Sequence, residues 1–178
     1  MRKNLLVFLA LIVISTTVHA QLSGIKNLGK TSVNHPWGWG FFAYYNFPLN
    51  ETANRNLVIE LLDLGYFPTK GEDDGMPDGY ISIKAGYKYI FSEETATGFY
   101  AEPQLGWALV DNGTPVNKTH NGVAAAIEGG YALEVGQNAN TLNFGVKYEA
   151  DIAGQNQTIN AVSLRVSYSF HLFRRRSD

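Results

Sequence analysis

The chain has no cysteine among its 178 residues. That removes disulfide stapling, thiolate metal sites and the acceptor thiol of a lipoprotein signal. Beyond its first twenty residues it also has no long apolar run, so no membrane-spanning helix is expected in the mature part. A basic excess is missing as well: without Arg2 and Lys3, twelve basic residues face sixteen acidic ones, which argues against nucleic acid as a partner. Histidine is scarce, with only His35, His120 and His171 outside the first twenty residues, and this is poor material for a metal site.

The start of the chain has an export pattern. Arg2 and Lys3 precede the apolar run Leu5 to Ile14, and Val18-His19-Ala20 places small residues around a spacer. Residues 1–20 therefore read as a secretory signal peptide cleaved before Gln21, with an apolar core too short to anchor the chain as a helix. Residues 21–178 are expected to form one domain.

Within that domain the dominant signal is alternation with period two. Tyr80 to Phe91 puts Ile81, Ile83, Ala85, Tyr87, Tyr89 and Phe91 on one face, with Ser82, Lys84, Gly86 and Lys88 on the other. The same device recurs from Trp37, Gly98, Val123, Leu142 and Val162, and this is the period of a strand rather than a helix. Asn56 to Phe67 breaks step at Leu61-Leu62, where a β-bulge would return Glu60 and Asp63 to one face. Those are seven strands, and Gln21 to Asn34, which alternates poorly, must supply the eighth. The links near residues 50–54, 92–96 and 136–140 are short, whereas 68–79 and 110–121 are long and polar. Tight turns at one rim and loops at the other predict an eight-stranded antiparallel up-and-down transmembrane β-barrel.

The facing follows from where the rings and charges fall. Residues 36–50, PWGWGFFAYYNFPLN, hold seven aromatic rings in a chain of mean hydropathy −0.13. Trp37, Trp39, Tyr87, Tyr89, Phe91, Trp107, Tyr168 and Phe170 cluster near the ends of apolar faces, as interfacial aromatics do at a bilayer. The opposite faces carry Glu60, Asp63, Lys84, Lys88, Glu102, Glu128, Lys147, Glu149, Asp151 and Arg165 beside small residues. An inward-facing charge network inside a lipid-embedded barrel accounts for both sets. A soluble periplasmic barrel with an apolar ligand cavity is the alternative.

The signal peptide, the eight-strand count and the terminal RVSYSF at Arg165 to Phe170 resemble the small outer-membrane β-barrel proteins of Gram-negative bacteria, the type of outer membrane protein X and the barrel domain of outer membrane protein A. The resemblance covers the whole mature chain. It implies residence in the outer membrane among lipid and lipopolysaccharide. It also implies insertion by the barrel-assembly machinery, which reads an aromatic-rich last strand ending at Phe170 or Phe173. The extra HLFRRRSD departs from that pattern.

Catalysis has little support. A lipid-modifying enzyme needs a nucleophile, a base and an orienting carboxylate at the outer rim, and only His120, expected in a loop, and His35 offer a base there. The acidic stretch Glu72 to Asp78 lacks the spacing of a calcium loop, and the Asn-x-Thr triplets at Asn50, Asn112, Asn117 and Asn156 suit turns. No cofactor is expected. The function expected is a non-enzymatic scaffold with a packed charged interior and an unidentified surface partner. A small pore is the alternative, disfavoured because side chains fill an eight-stranded lumen.

Overall fold

The computed structural model describes residues 19–28, 36–69, 78–92, 96–112, 119–135, 140–153 and 158–169. They form eight strands, β1 (His19–Asn27), β2 (Trp37–Pro48), β3 (Arg55–Phe67), β4 (Asp78–Ile90), β5 (Gly98–Asn112), β6 (His120–Val135), β7 (Asn140–Ile152) and β8 (Thr158–Ser169). Each strand pairs antiparallel with its neighbours in sequence, and β1 pairs with β8 to close an all-β barrel. No helix occurs among the described residues. Closure leaves no sheet edge, which is what a strand structure needs where water is absent.

Side-chain alternation sets inside and outside. On β4, Tyr80, Ser82, Lys84, Lys88 and Ile90 are buried, while Ile81, Ile83 and Tyr87 are exposed. On β8, Ile159, Ala161, Ser163, Arg165 and Ser167 point inward, and Leu164 and Val166 outward. The exterior is thus apolar and the interior largely polar, the reverse of a soluble barrel. The bulge anticipated at Leu61-Leu62 is present: the β3–β4 register shifts between Glu60↔Lys84 and Asp63↔Ser82, so both carboxylates turn inward.

Several expectations are corrected. β1 alternates regularly after all, with Gln21, Ser23, Ile25 and Asn27 inside and Leu22 outside, and it ends at Asn27 instead of running toward Asn34. The β5–β6 link is shorter than the polar stretch 110–121 suggested, because Val110 pairs with His120 and Leu109 with Asn121. β4 starts at Asp78, so this residue of the acidic stretch is a buried strand residue; residues 72–77 lie outside the described residues. Of the seven rings in residues 36–50, Phe42 and Tyr44 face inward, on the parity of Gly38 and Gly40.

Rings can enter so narrow a lumen because glycines stand opposite them. Tyr80 pairs across β3–β4 with Gly65, where an added Cβ would run into the Tyr80 ring. Tyr100 on β5 lies over Gly130 of β6 and reaches Gly145 of β7, and a side chain at either position would strike it.

The apolar exterior makes a direct prediction. Leu164 stands mid-strand on the outer face, and Leu164→Arg should cost about 2–4 kcal/mol in reversible folding into lipid vesicles. Glu51→Arg in the exposed β2–β3 turn should stay within about 0.5 kcal/mol. Equal costs would contradict the facing.

Candidate functional site: the barrel interior

The interior is stacked in three levels. At the loop end, Ile25, Phe67, Tyr80, Val110 and Ile159 pack with small alanines into an apolar cluster. Toward the turn end lie two smaller clusters, Phe42 with Tyr44 and Val58, and Ile90 with Tyr100 and Ala132. Between them is a layer of ions.

Glu60 and Asp63 enter that layer from β3, set on one face by the bulge. Lys84 of β4 places Nζ 3.0 Å from Glu60 Oε1 and 2.9 Å from Asp63 Oδ2, and also pairs with Glu149 of β7. Lys147 of β7 lies 3.1 Å from the same Glu60 oxygen and contacts Asp63 and Glu149. From β8, Arg165 forks between two carboxylates, Nη2 to Glu60 Oε2 and Nη1 to Glu128 Oε2, each at 2.8 Å. Its guanidinium carbon sits 3.2 Å from the centre of the Phe42 ring, a cation–π contact on the free face of a planar fork. These ions are almost fully buried, and each cation has at least two carboxylates. Buried ions require such pairing, because an isolated charge in a low-dielectric space is strongly unfavourable.

The remaining members of the expected charge set are held differently. Lys88 donates to Asn143 Oδ1 at 3.0 Å and rests 3.9 Å from the centre of the Tyr100 ring, so an amide and a π-face stand where a carboxylate was expected. Glu102 stands directly opposite Glu128 in the β5–β6 register and accepts from Gln104 Nε2 at 2.6 Å. Tyr100 Oη donates to Glu128 Oε1 at 2.6 Å, so Glu128 is braced by a phenol and a guanidinium. Asp151 is fully buried, and neither of its carboxylate oxygens has a hydrogen-bond partner among the described residues. The ion layer thus gathers Glu60, Asp63, Lys84, Glu128, Lys147, Glu149 and Arg165, and leaves Lys88, Glu102 and Asp151 beside it.

Sequence reasoning missed Ser82, Gln104, Asn143 and the interior rings. Their inward parity was visible, but their roles depend on which strand lies across the lumen. Ser82 accepts from Lys84 Nζ at 2.6 Å and donates to Glu149 at 3.1 Å. Asn143 extends the chain by donating to Ser167 Oγ at 3.0 Å, which also meets Tyr44 Oη at 3.0 Å.

On the outside, Trp37, Trp39 and Trp107 are exposed toward the loop end, and Tyr87 and Phe91 toward the turn end. Tyr89 and Tyr168 are half-buried, and Phe170 lies outside the described residues. Tyr66, Phe99 and Tyr131 join these rows, with Trp39–Tyr66 and Phe99–Tyr131 ring centres 5.6 and 5.1 Å apart. His120 is half-buried at the first position of β6, whereas His35 and His171 fall outside the described residues. Among the described residues no three His, Asp or Glu side chains are arranged to hold a metal ion.

No protein-family model matches the chain, and no curated protein matches it in sequence. Solved structures do match. Neisserial surface protein A superposes with a TM-score of 0.63 over 86% of this chain and 94% of its own, at 16% identity. The outer membrane protein Ail of Yersinia pestis, in a phospholipid bilayer nanodisc, gives a TM-score of 0.53 over 87% of this chain and 99% of its own, at 13% identity. A second Ail structure, in complex with the heparin analogue sucrose octasulfate, gives 0.50 at 14% identity, over 87% of this chain and 97% of its own. At these identities the likeness carries the fold alone. It supports the small Gram-negative outer-membrane barrel as a type and does not single out outer membrane protein X or the barrel of outer membrane protein A. In fold, the chain is an eight-stranded antiparallel closed barrel similar to the barrels of these outer-membrane proteins.

Proposed function

We propose that the protein is a non-enzymatic outer-membrane scaffold, exported by a signal peptide that ends at Ala20. In this reading the barrel holds the outer loops at the cell surface and conducts nothing. The observation that carries it is the stacked interior, an ion layer whose members hold one another between apolar clusters toward each end. A side-chain-filled lumen is what an eight-stranded barrel has room for. The apolar exterior with its rings at both ends suits contact with outer-membrane lipid and lipopolysaccharide, and β8, with Tyr168 near its end, suits recognition by the barrel-assembly machinery.

Planar-bilayer recording tests the sealed interior. Purified protein should give no stable conductance steps, and reproducible single-channel openings would favour a pore. Stability gives an independent reading of the same plug. Arg165→Ala strands Glu60 and Glu128 and should cost about 3–5 kcal/mol of folding free energy in lipid. Glu134→Ala, on an exposed carboxylate near the end of β6, should change stability by less than about 0.5 kcal/mol. A cost for Arg165→Ala no larger than for Glu134→Ala would show that the ions do not brace the barrel.

A further inference from the structure

Gln21 occupies an unusual place. Its side chain is 4% exposed, turned into the barrel from the third position of β1, and neither amide atom has a hydrogen-bond partner among the described residues. A buried primary amide with both ends unmet has given up its hydrogen bonds to water with nothing in return. The residue also stands at the barrel seam. The register of β1 on β8 runs from Asn27↔Ala161 to Leu22↔Val166, and Gln21 lies one residue beyond it, opposite Phe42 of β2. Along that seam runs a groove of about 890 Å³, lined chiefly by Leu22, Trp39, Phe41, Leu164, Val166 and Tyr168.

Cleavage after Ala20 removes the His19↔Tyr44 and Ala20↔Ala43 pairs of β1 with β2 and makes Gln21 the first residue of the mature chain. Its α-ammonium would then sit beside an apolar groove, facing the Phe42 backbone on one side and the unladdered end of β8 on the other. A cation placed there without a carboxylate is strongly unfavourable in a bilayer. An N-terminal glutamine can shed the ammonium charge and the unmet NH2 group in one reaction.

We propose that Gln21 is a modification site, cyclised to pyroglutamate after export and before β1 is laid into the barrel; the proposal rests on the signal-cleavage reading above. The α-amino nitrogen attacks the side-chain carbonyl carbon Cδ, a C–N bond forms, and the Cδ–Nε2 bond breaks. Nε2 departs with the transferred proton as ammonia, so nothing is oxidised or reduced and no co-reactant is needed. The product is a neutral five-membered lactam. It has lost the ammonium charge and the orphaned NH2 group, and it keeps one N–H in the position of the strand backbone. Because the folded barrel buries this side chain, the reaction belongs to the exported, unfolded chain, either spontaneously or through a cyclising enzyme of that compartment.

The test is the intact mass of the wild-type protein taken from outer membranes and left undigested, so that cyclisation of a released peptide does not enter. The expected mass is that of residues 21–178 less one ammonia, with an N-terminus that refuses an amine-directed label and accepts it after treatment with a pyroglutamyl aminopeptidase. The Gln21→Ser variant should give its full mass and take the label at once. A wild-type chain that begins at Gln21 with full mass and a reactive amine overturns cyclisation while leaving the cleavage reading intact. A chain that begins anywhere else overturns the cleavage reading and this proposal with it.

Discussion

Glu60 accepts three cations at once, Lys84 and Lys147 on one carboxylate oxygen and Arg165 on the other. Much of the barrel depends on that convergence. The three partners come from β4, β7 and β8, so a β3 residue is tied to its neighbour and to strands well around the wall. A buried ion cluster is not by itself a large source of stability, since the attraction mostly offsets the desolvation of its members. What it gives here is register. The side-chain period of a strand is two, so slipping any of these strands by one residue would carry a lysine, arginine or carboxylate to the apolar outside. The cluster therefore excludes the neighbouring registers more strongly than it favours its own.

The same constraint explains the bulge and the glycines. Without the extra residue at Leu61-Leu62, Glu60 and Asp63 could not both face inward, and Lys84 and Lys147 would each lose a carboxylate. The lumen left over above and below the ions is too narrow for rings unless the opposing strand has no side chain. Gly65 opposite Tyr80, and Gly130 with Gly145 beneath Tyr100, supply that space. Polar closure in the middle and aromatic closure toward each end are two solutions to one packing problem.

Much of this was legible in the sequence because parity is local. Lys84 and Lys88, or Lys147, Glu149 and Asp151, share a face by spacing alone, and the apolar residues between them must take the other. The bulge was legible too, since a misplaced pair of carboxylates around a Leu doublet has few other remedies. What stayed hidden is what depends on a second strand. Phe42 and Tyr44 lie on the parity of the glycines of β2, yet nothing nearby in sequence says that the lumen has room for them. Lys88 looked like one more partner for a carboxylate until register brought Tyr100 and Asn143 beside it. β1 read poorly because its inward face begins with Gln21 and Ser23 and its outward face includes Gly24 and Lys26, so hydropathy scarcely alternates while geometry does. The extension of the β5–β6 hairpin to Val110↔His120 was masked by polar residues that pair through their backbones.

Lys84 and Lys147, each held by three carboxylates, sit in a closed ionic core that water does not enter freely. The exchange of their ammonium protons with solvent can be followed by nitrogen–proton correlation spectroscopy of the barrel in lipid nanodiscs. Lys26, exposed on the outer face, serves as the internal reference. Resolved, slowly exchanging Nζ–H signals are expected for Lys84 and Lys147 at neutral pH, absent for Lys26 and lost one at a time in Lys84→Met and Lys147→Met. Exchange at both buried lysines as fast as at Lys26 would mean that the core is open to water.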